Sequence, residues 1–419
     1  MRRITKRIYC LMMASAISFT AIAEENDTLP HWGAQLTVNP SVVPTMDREI
    51  KELVQRNGAL TIGGQLRHVS LPSDGDLYAQ DYGYPTFIFG ANYNVYNHVN
   101  LHRDENADLG KGMPVDYNTA LGNSFSFYAG FERAFFRTPR WEADYQFNIG
   151  LGLSHRKYNR HTQVDNLMIS SNVSIYFGAA FHATYRFAKD WGLKGGIEFN
   201  HHSSGTLARP NKGSNTIGPT IGIVYYPYYE ELLKAPQYKK TTEFTPSDYW
   251  NFTVNAGLCT LYQDWLKTQF ETEPTDPDYR SNDFRHYAVY SLQADYMRRH
   301  HRRWASGVGL DLYYLTYMNH IREMDRGNGT RHCPLSIGIS AKHEAFYHNI
   351  SLAMSFGFYA LRLVGKSAGK VEQPFYETIG LKYHFPKLNN IALGAYVRAH
   401  AFKADHTGIS LSVPIYLNK

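Results

Sequence analysis

The stretch 141-WEADYQFNIGLGLS-154 alternates without interruption. Its odd positions are Trp141, Ala143, Tyr145, Phe147, Ile149, Leu151 and Leu153. Its even positions are Glu142, Asp144, Gln146, Asn148, Gly150, Gly152 and Ser154. A period of two puts one set on each face of a strand. Strands of soluble sandwiches usually run about 5–6 residues, whereas a tilted strand crossing a bilayer needs about 9–11. Comparable apolar stripes recur at Val173/Ile175/Phe177/Ala179/Phe181, Ile350/Leu352/Met354/Phe356/Phe358 and Ile409/Leu411/Val413/Ile415. An apolar face beside a polar face is the pattern of a strand with lipid on one side and a barrel lumen on the other.

Composition agrees where it bears on this. Aromatic residues make up 15% of the chain, with 32 Tyr and 23 Phe, yet mean hydropathy is −0.42. Only every second residue of a membrane strand meets lipid, so hydropathy stays low. Past the N-terminus, no segment offers the roughly 18 apolar residues that a spanning helix requires. The N-terminal residues MRRITKRIYCLMMASAISFTAIAEEN combine a basic start, an apolar run and the small-x-small sequence Ala21-Ile22-Ala23. They read as a signal peptide over 1–23, with the mature chain starting at Glu24. Cys10 has no lipobox around it. Cys259 and Cys333 allow one disulfide or two thiols and exclude a disulfide scaffold. The net charge of +6 is spread over loops and selects no partner.

Counting stripes gives an all-β fold, a transmembrane antiparallel β-barrel of about 14–16 strands, multi-pass in the outer membrane. Short turns fall at 137–139, 188–190, 299–303 and 386–390, and long polar loops at 155–171, 265–284, 319–331 and 363–373. Residues 24–419 are expected to form one barrel, since a closed sheet leaves no unpaired edge in lipid. The charged connection 227–248 marks where a subdivision into two smaller barrels would fall. Nothing in the sequence fixes an oligomeric state.

The run 191-WGLKGGIEFNHHSSG-205 shows where chemistry enters. Parity puts Leu193, Ile197, Phe199, His201 and Ser203 on the lipid face, and Glu198, Asn200, His202 and Ser204 inward. In the next strand Asn215, Ile217, Pro219, Ile221 and Ile223 share the outer face. With Ser203 opposite Asn215 and His201 opposite Ile217, the three polar residues meet at the extracellular rim. A serine beside a histidine, with a third group orienting the imidazole, is the arrangement of an activated nucleophile. Rim positions also carry His, Ser and Asn simply because they meet water.

Phe199-Asn200-His201-His202-Ser203-Ser204-Gly205, followed by Arg209-Pro210-Asn211-Lys212-Gly213 and Asn215, resembles the signature of the lipid A 3-O-deacylase (PagL-like) and acyloxyacyl hydrolase family of outer-membrane barrels. The segment 393-LGAYVRAHAFKADHTGISLSV-413 adds to the likeness. The resemblance implies a carboxylic ester hydrolase acting on lipopolysaccharide, with Ser203 as nucleophile and His201 as general base. It also implies oxyanion support from Asn211 and from the backbone near Ser204 and Gly205. Ser204 departs from the family's Asn, and Asn215 stands where its acid would be. The shorter Asn-His-x-Ser-x-Gly pattern is similar to outer-membrane phospholipase A, with Asn215 as the orienting residue. The first resemblance implies no cofactor, and the second implies calcium and a phospholipid substrate. A pore that keeps the motif without activity is the non-enzymatic alternative. The basic run 297-MRRHHRR-303 suits anionic headgroups better than nucleic acid. His343/His348 and His400/His406 lack the further ligands a metal site needs.

Overall fold

The computed structural model describes residues 30–45, 47–103, 117–235, 244–369 and 374–417; the segment read as a signal peptide, with Cys10 and Glu24, lies outside them. Alternation becomes antiparallel strands throughout. The first set is β1 (Trp32–Val42), β2 (Val54–Val69), β3 (Thr86–Arg103), β5 (Ser124–Arg137), β6 (Trp141–Ser154), β7 (Val173–Arg186), β8 (Trp191–Ser203) and β9 (Ser214–Tyr225). A short β4 (Tyr117–Ala120) pairs with the end of β3. This sheet closes because β1 pairs with both β2 and β9, and β2 continues to β3.

The second set is β10 (Ser247–Cys259), β11 (Tyr287–His301), β12 (Trp304–Leu315), β13 (Leu335–Tyr347), β14 (Ile350–Leu361), β15 (Phe375–Phe385), β16 (Ile391–His400) and β17 (Lys403–Tyr416). It closes by itself through pairs running from Tyr249↔Tyr416 to Leu258↔Thr407. The single barrel expected over 24–419 is thus replaced by two eight-stranded rings. The requirement that no edge face lipid is met twice rather than once. The change of ring falls between Tyr225 and Ser247.

Parity sets the two faces of each wall. Ile149 is 48% exposed and faces out, while neighbouring Asn148, at 3%, faces in. Aromatic pairs such as Trp141–Tyr185 and Trp191–Tyr225, with ring centroids 4.9 and 5.0 Å apart, sit near the short-turn end as an interfacial girdle. Eight strands leave an interior that side chains can fill. In the first ring Glu132 receives the Arg67 guanidinium and Lys194 Nζ (2.5 Å), while Lys194 also reaches Asp144 at 3.1 Å. His182 Nδ1 lies 2.9 Å from the same Asp144. These buried charges are tolerated because each faces an opposite charge. The second ring holds Lys342 between Asp295 and Asp311 at 3.3 and 2.8 Å.

Below the first ring the connection after β9 turns back as a short helix, Tyr229–Leu233. Tyr226, Tyr228, Tyr229 and Leu232 pack with Val69, Leu71 and Tyr84 across its base. The two rings also meet at this end. Arg302 Nη1 pairs with Asp81 Oδ2 at 3.0 Å, and Arg299 Nη2 donates to Tyr78 Oη at 3.0 Å. The basic turn expected at the headgroups is therefore partly committed to the neighbouring barrel. No disulfide joins Cys259 to Cys333.

Candidate active site at the rim of the first barrel

β8 rises from the short turn at 187–190 and ends at Ser203, at the long-loop end of the ring. Its parity holds to the last residue. Ile197 is 60% exposed and Leu193 is exposed, whereas Lys194, Glu198, Asn200 and His202 are buried in the lumen. His201 and Ser203 continue the outward set and are half-buried. His202 belongs to the interior, with Nε2 2.7 Å from Ser126 Oγ.

The register differs from the one expected. His201 lies opposite Asn215, His202 opposite Ser214, and Phe199 opposite Ile217. The pairing of Ser203 with Asn215 is therefore corrected by two residues. β9 begins only at Ser214, so Ser203 extends beyond the β8–β9 ladder and keeps a strand partner only on β7, where it faces Ile175. The shift brings His201 directly across from Asn215, and Nδ1 and Oδ1 approach to 2.6 Å. An amide oxygen carries no hydrogen, so Nδ1–H is the donor and Nε2 keeps its lone pair. Among the described residues no hydrogen bond joins Ser203 Oγ to His201. The two residues share a face, about 6.6 Å apart along the strand.

The loop between β8 and β9 folds around this pair. Ser204 N–H donates to Asn211 Oδ1 at 2.8 Å, and Ser204 Oγ–H donates to Ala208 O at 3.0 Å. The Ser204 amide is thus engaged inside the loop, which leaves Gly205 as the other backbone donor named for oxyanion support. Asn211, with its oxygen occupied, keeps its Nδ2 hydrogens for other acceptors. Lys212 anchors the far side, reaching Asp47 and Glu49 at 3.0 and 2.9 Å. Burial disfavours both charges of the Lys212–Asp47 pair. Even so, Lys212 and nearby backbone amides hold the Asp47 carboxyl below its ordinary value, and Tyr262, Glu49 and Asp47 hold Lys212 above its own.

Gly213 has a place in the site that the motif alone does not assign. Its φ is +77°, and a Cβ there would lie 2.8 Å from His201 Cε1. The glycine lets the chain pass against the imidazole. Its only sequence signal is a glycine two residues before Asn215, immediately ahead of the strand. Among the described residues one metal-capable group occurs, Glu132, Asp144 and His182, deep in the lumen and already bridged by Lys194. It is remote from Ser203 in register.

Two closed antiparallel rings with apolar outer walls, an aromatic girdle and packed polar interiors define an outer-membrane β-barrel protein. Residues 80–224 match the family model described as lipid A 3-O-deacylase (PagL), and residues 248–416 match that of the acyloxyacyl hydrolase C-terminal domain. The chain belongs to this family, with one matching segment in each barrel. The crystal structure of the outer membrane enzyme PagL is 15% identical, covers 45% of this chain and 97% of its own, and gives a TM-score of 0.27. The P. putida toluene transporter TodX is 9% identical over 93% of this chain and 89% of its own, with a TM-score of 0.17. A mutant of the Rh. blastica porin is 8% identical over 92% and 99%, with a TM-score of 0.16. No curated protein sequence matches the chain.

Proposed function

We propose that this protein is an outer-membrane esterase that removes an ester-linked acyl chain from lipid A, using Ser203 as nucleophile, His201 as general base and Asn215 as the residue that orients the base. The 2.6 Å contact between His201 Nδ1 and Asn215 Oδ1 on the lipid-facing rim carries the reading. It sets the tautomer in which Nε2 can take a proton, on the face that also bears Ser203. Free serine hydroxyls are poor nucleophiles without such a base. Ser203 Oγ attacks the acyl carbonyl while its proton passes to His201 Nε2. The tetrahedral oxyanion is met by Gly205 N–H and Asn211 Nδ2. The C–O bond to the sugar then breaks, the sugar oxygen takes the proton from His201, and water hydrolyses the acyl-serine.

A site on the outer wall suits a substrate whose acyl chains already lie in the leaflet. The packed lumen argues against the passive pore. Arg67, Glu132, Asp144 and Lys194 are all buried and mutually paired, so no open charged channel runs through the first ring.

The test is acyl release by the purified full-length chain in detergent, from lipid A and from phosphatidylethanolamine, with and without calcium. Lipid A is expected to lose an acyl chain. Ser203→Ala and His201→Ala should each reduce this by roughly a thousand-fold or more, and the double variant should be little worse, because the pair acts as a unit. Release from phospholipid alone, dependent on calcium, would replace this reading with a phospholipase. Release from neither by a folded protein would leave the pore.

A further inference from the structure

The segment that follows Ser203 is not held by the first barrel alone. Ser204 to Leu207 form a tight turn closed by Leu207 N–H donating to Ser204 O at 3.1 Å. Its two central residues both have left-handed backbones, Gly205 at φ +58° and Thr206 at φ +77°. Glycine adopts this without strain. A β-branched residue does not, and it persists there only where its surroundings over-determine it. Thr206 is nevertheless fully buried.

What over-determines it is the rim of the second barrel. Thr407 Oγ1–H, near the start of β17, donates to Gly205 O at 2.6 Å. Thr260 N–H and Oγ1–H, just beyond β10, both donate to Thr206 O, at 2.9 and 2.7 Å. Thr206 Oγ1–H in turn donates to Asp405 O at 3.1 Å. Arg209, from the same loop, closes the bracket by donating to Thr260 O through Nε and Nη2 at 3.3 and 3.1 Å. The fit leaves no slack, since a Cβ on Gly205 would lie 2.5 Å from Thr407 Oγ1 and 2.9 Å from Ile175 Cδ1. Ile175 is the residue opposite Ser203.

Successive peptide planes are therefore fixed in sequence. The Ser203–Ser204 plane is set by Asn211, the Ser204–Gly205 plane by Leu207, the Gly205–Thr206 plane by Thr407, and the Thr206–Leu207 plane by Thr260. The Gly205 amide direction is the product of this series. We propose that the second barrel is a working part of the hydrolytic site. On this view Thr407 and Thr260 are positioning residues that lock the strained turn, and with it the oxyanion donor beside Ser203. The inference rests on the esterase reading above and deepens it: the catalytic unit is the pair of barrels, not the first barrel alone.

Removing one hydroxyl from the bracket should disturb turnover more than binding, because substrate contacts the outer wall while the turn acts on the oxyanion. In the full-length protein, Thr407→Val is expected to lower kcat roughly ten- to a hundred-fold with KM within about threefold, as a sub-ångström shift of the donor would do. Thr407→Ser keeps the donor and should recover most of the loss, which a purely packing role for the methyl group would not predict. If Thr407→Val fails to fold, Thr260→Ala removes one of the two donors on Thr206 O and should lower kcat by about two- to fivefold. Folding is checked by heat-modified mobility and β-sheet circular dichroism. Wild type and Ser203→Ala are assayed alongside. A wild type that releases no acyl chain defeats the esterase reading itself. An active wild type with unimpaired kcat in folded Thr407→Val or Thr260→Ala defeats the bracket alone.

Discussion

At the scale of single residues, the contact between Asn215 and His201 carries the site, and two substitutions probe it. Asn215→Ala removes the acceptor that holds Nδ1–H, and acyl release should fall by about ten-fold or more. Asn215→Asp should retain measurable activity, since a carboxylate also accepts from Nδ1–H. Full activity in Asn215→Ala would show that another group orients the base. Gly213→Ala acts from the opposite side. Its methyl group would enter the space of His201 Cε1, on a backbone with φ +77°. A loss of about ten-fold or more in kcat is expected, with a stability cost of about 1 kcal/mol for the left-handed alanine; steady-state assays and thermal melting separate the two effects. The outward direction of Ser203 and His201 was legible from parity, which survives any even shift of register. The register was not, because it depends on how many residues the 204–213 loop absorbs. That number is set by the turn at Gly205–Thr206 and by the passage of Gly213 under the imidazole.

At the scale of elements, the loops rather than the strands escaped the sequence. The 70–85 loop shows why. Its short helix Leu77–Tyr82 is capped by Asp76, whose Oδ1 accepts from Tyr78 N–H and Ala79 N–H at 2.9 and 3.2 Å. Its other oxygen accepts from Tyr347 Oη–H and lies 3.0 Å from His348 Nε2, both on the second barrel. The cap is readable in the sequence; the contact across the barrels is not, because its partners lie some 270 residues away. Burial raises the Asp76 carboxyl, but His348 and the two capping amides outweigh it and leave its pKa below the ordinary value. A depressed carboxylate stabilises the fold above its unfolded pKa, and that contribution is lost as pH falls through the folded value. Asp76→Ala should therefore cost about 1 kcal/mol at neutral pH, the usual worth of an N-cap. The difference from wild type should shrink as pH drops below about 4. Melting curves at pH 7 and pH 3 check both halves of the statement.

At the scale of the whole molecule, the expected count of about 14–16 strands reaches the sixteen that form the rings, with the short β4 beyond it, whereas the number of rings was not legible. Every stripe reports its own facing, but closure depends on whether β9 returns to β1, a contact between Ala34 and Tyr225 that no local pattern encodes. The outcome matters for permeability. Sixteen strands in one ring would enclose an aqueous channel, whereas eight leave room only for side chains. Reconstituted in planar bilayers, the protein is expected to show no porin-like conductance. Stable open-channel currents would contradict the packed interiors.

Each ring contains an even number of strands, so its chain leaves the membrane on the face where it entered, with first and last strands side by side. Tyr249 sits across from Tyr416 as Ala34 does from Tyr225. A unit built this way can be added to another, or lost, through one cut in the linking segment, with no loop re-threaded and no ladder left open. Architecture of this kind grows by accretion: a second ring can be attached as a plain buttress, and small polar changes where the two rims touch can later give it a share in the chemistry of the first.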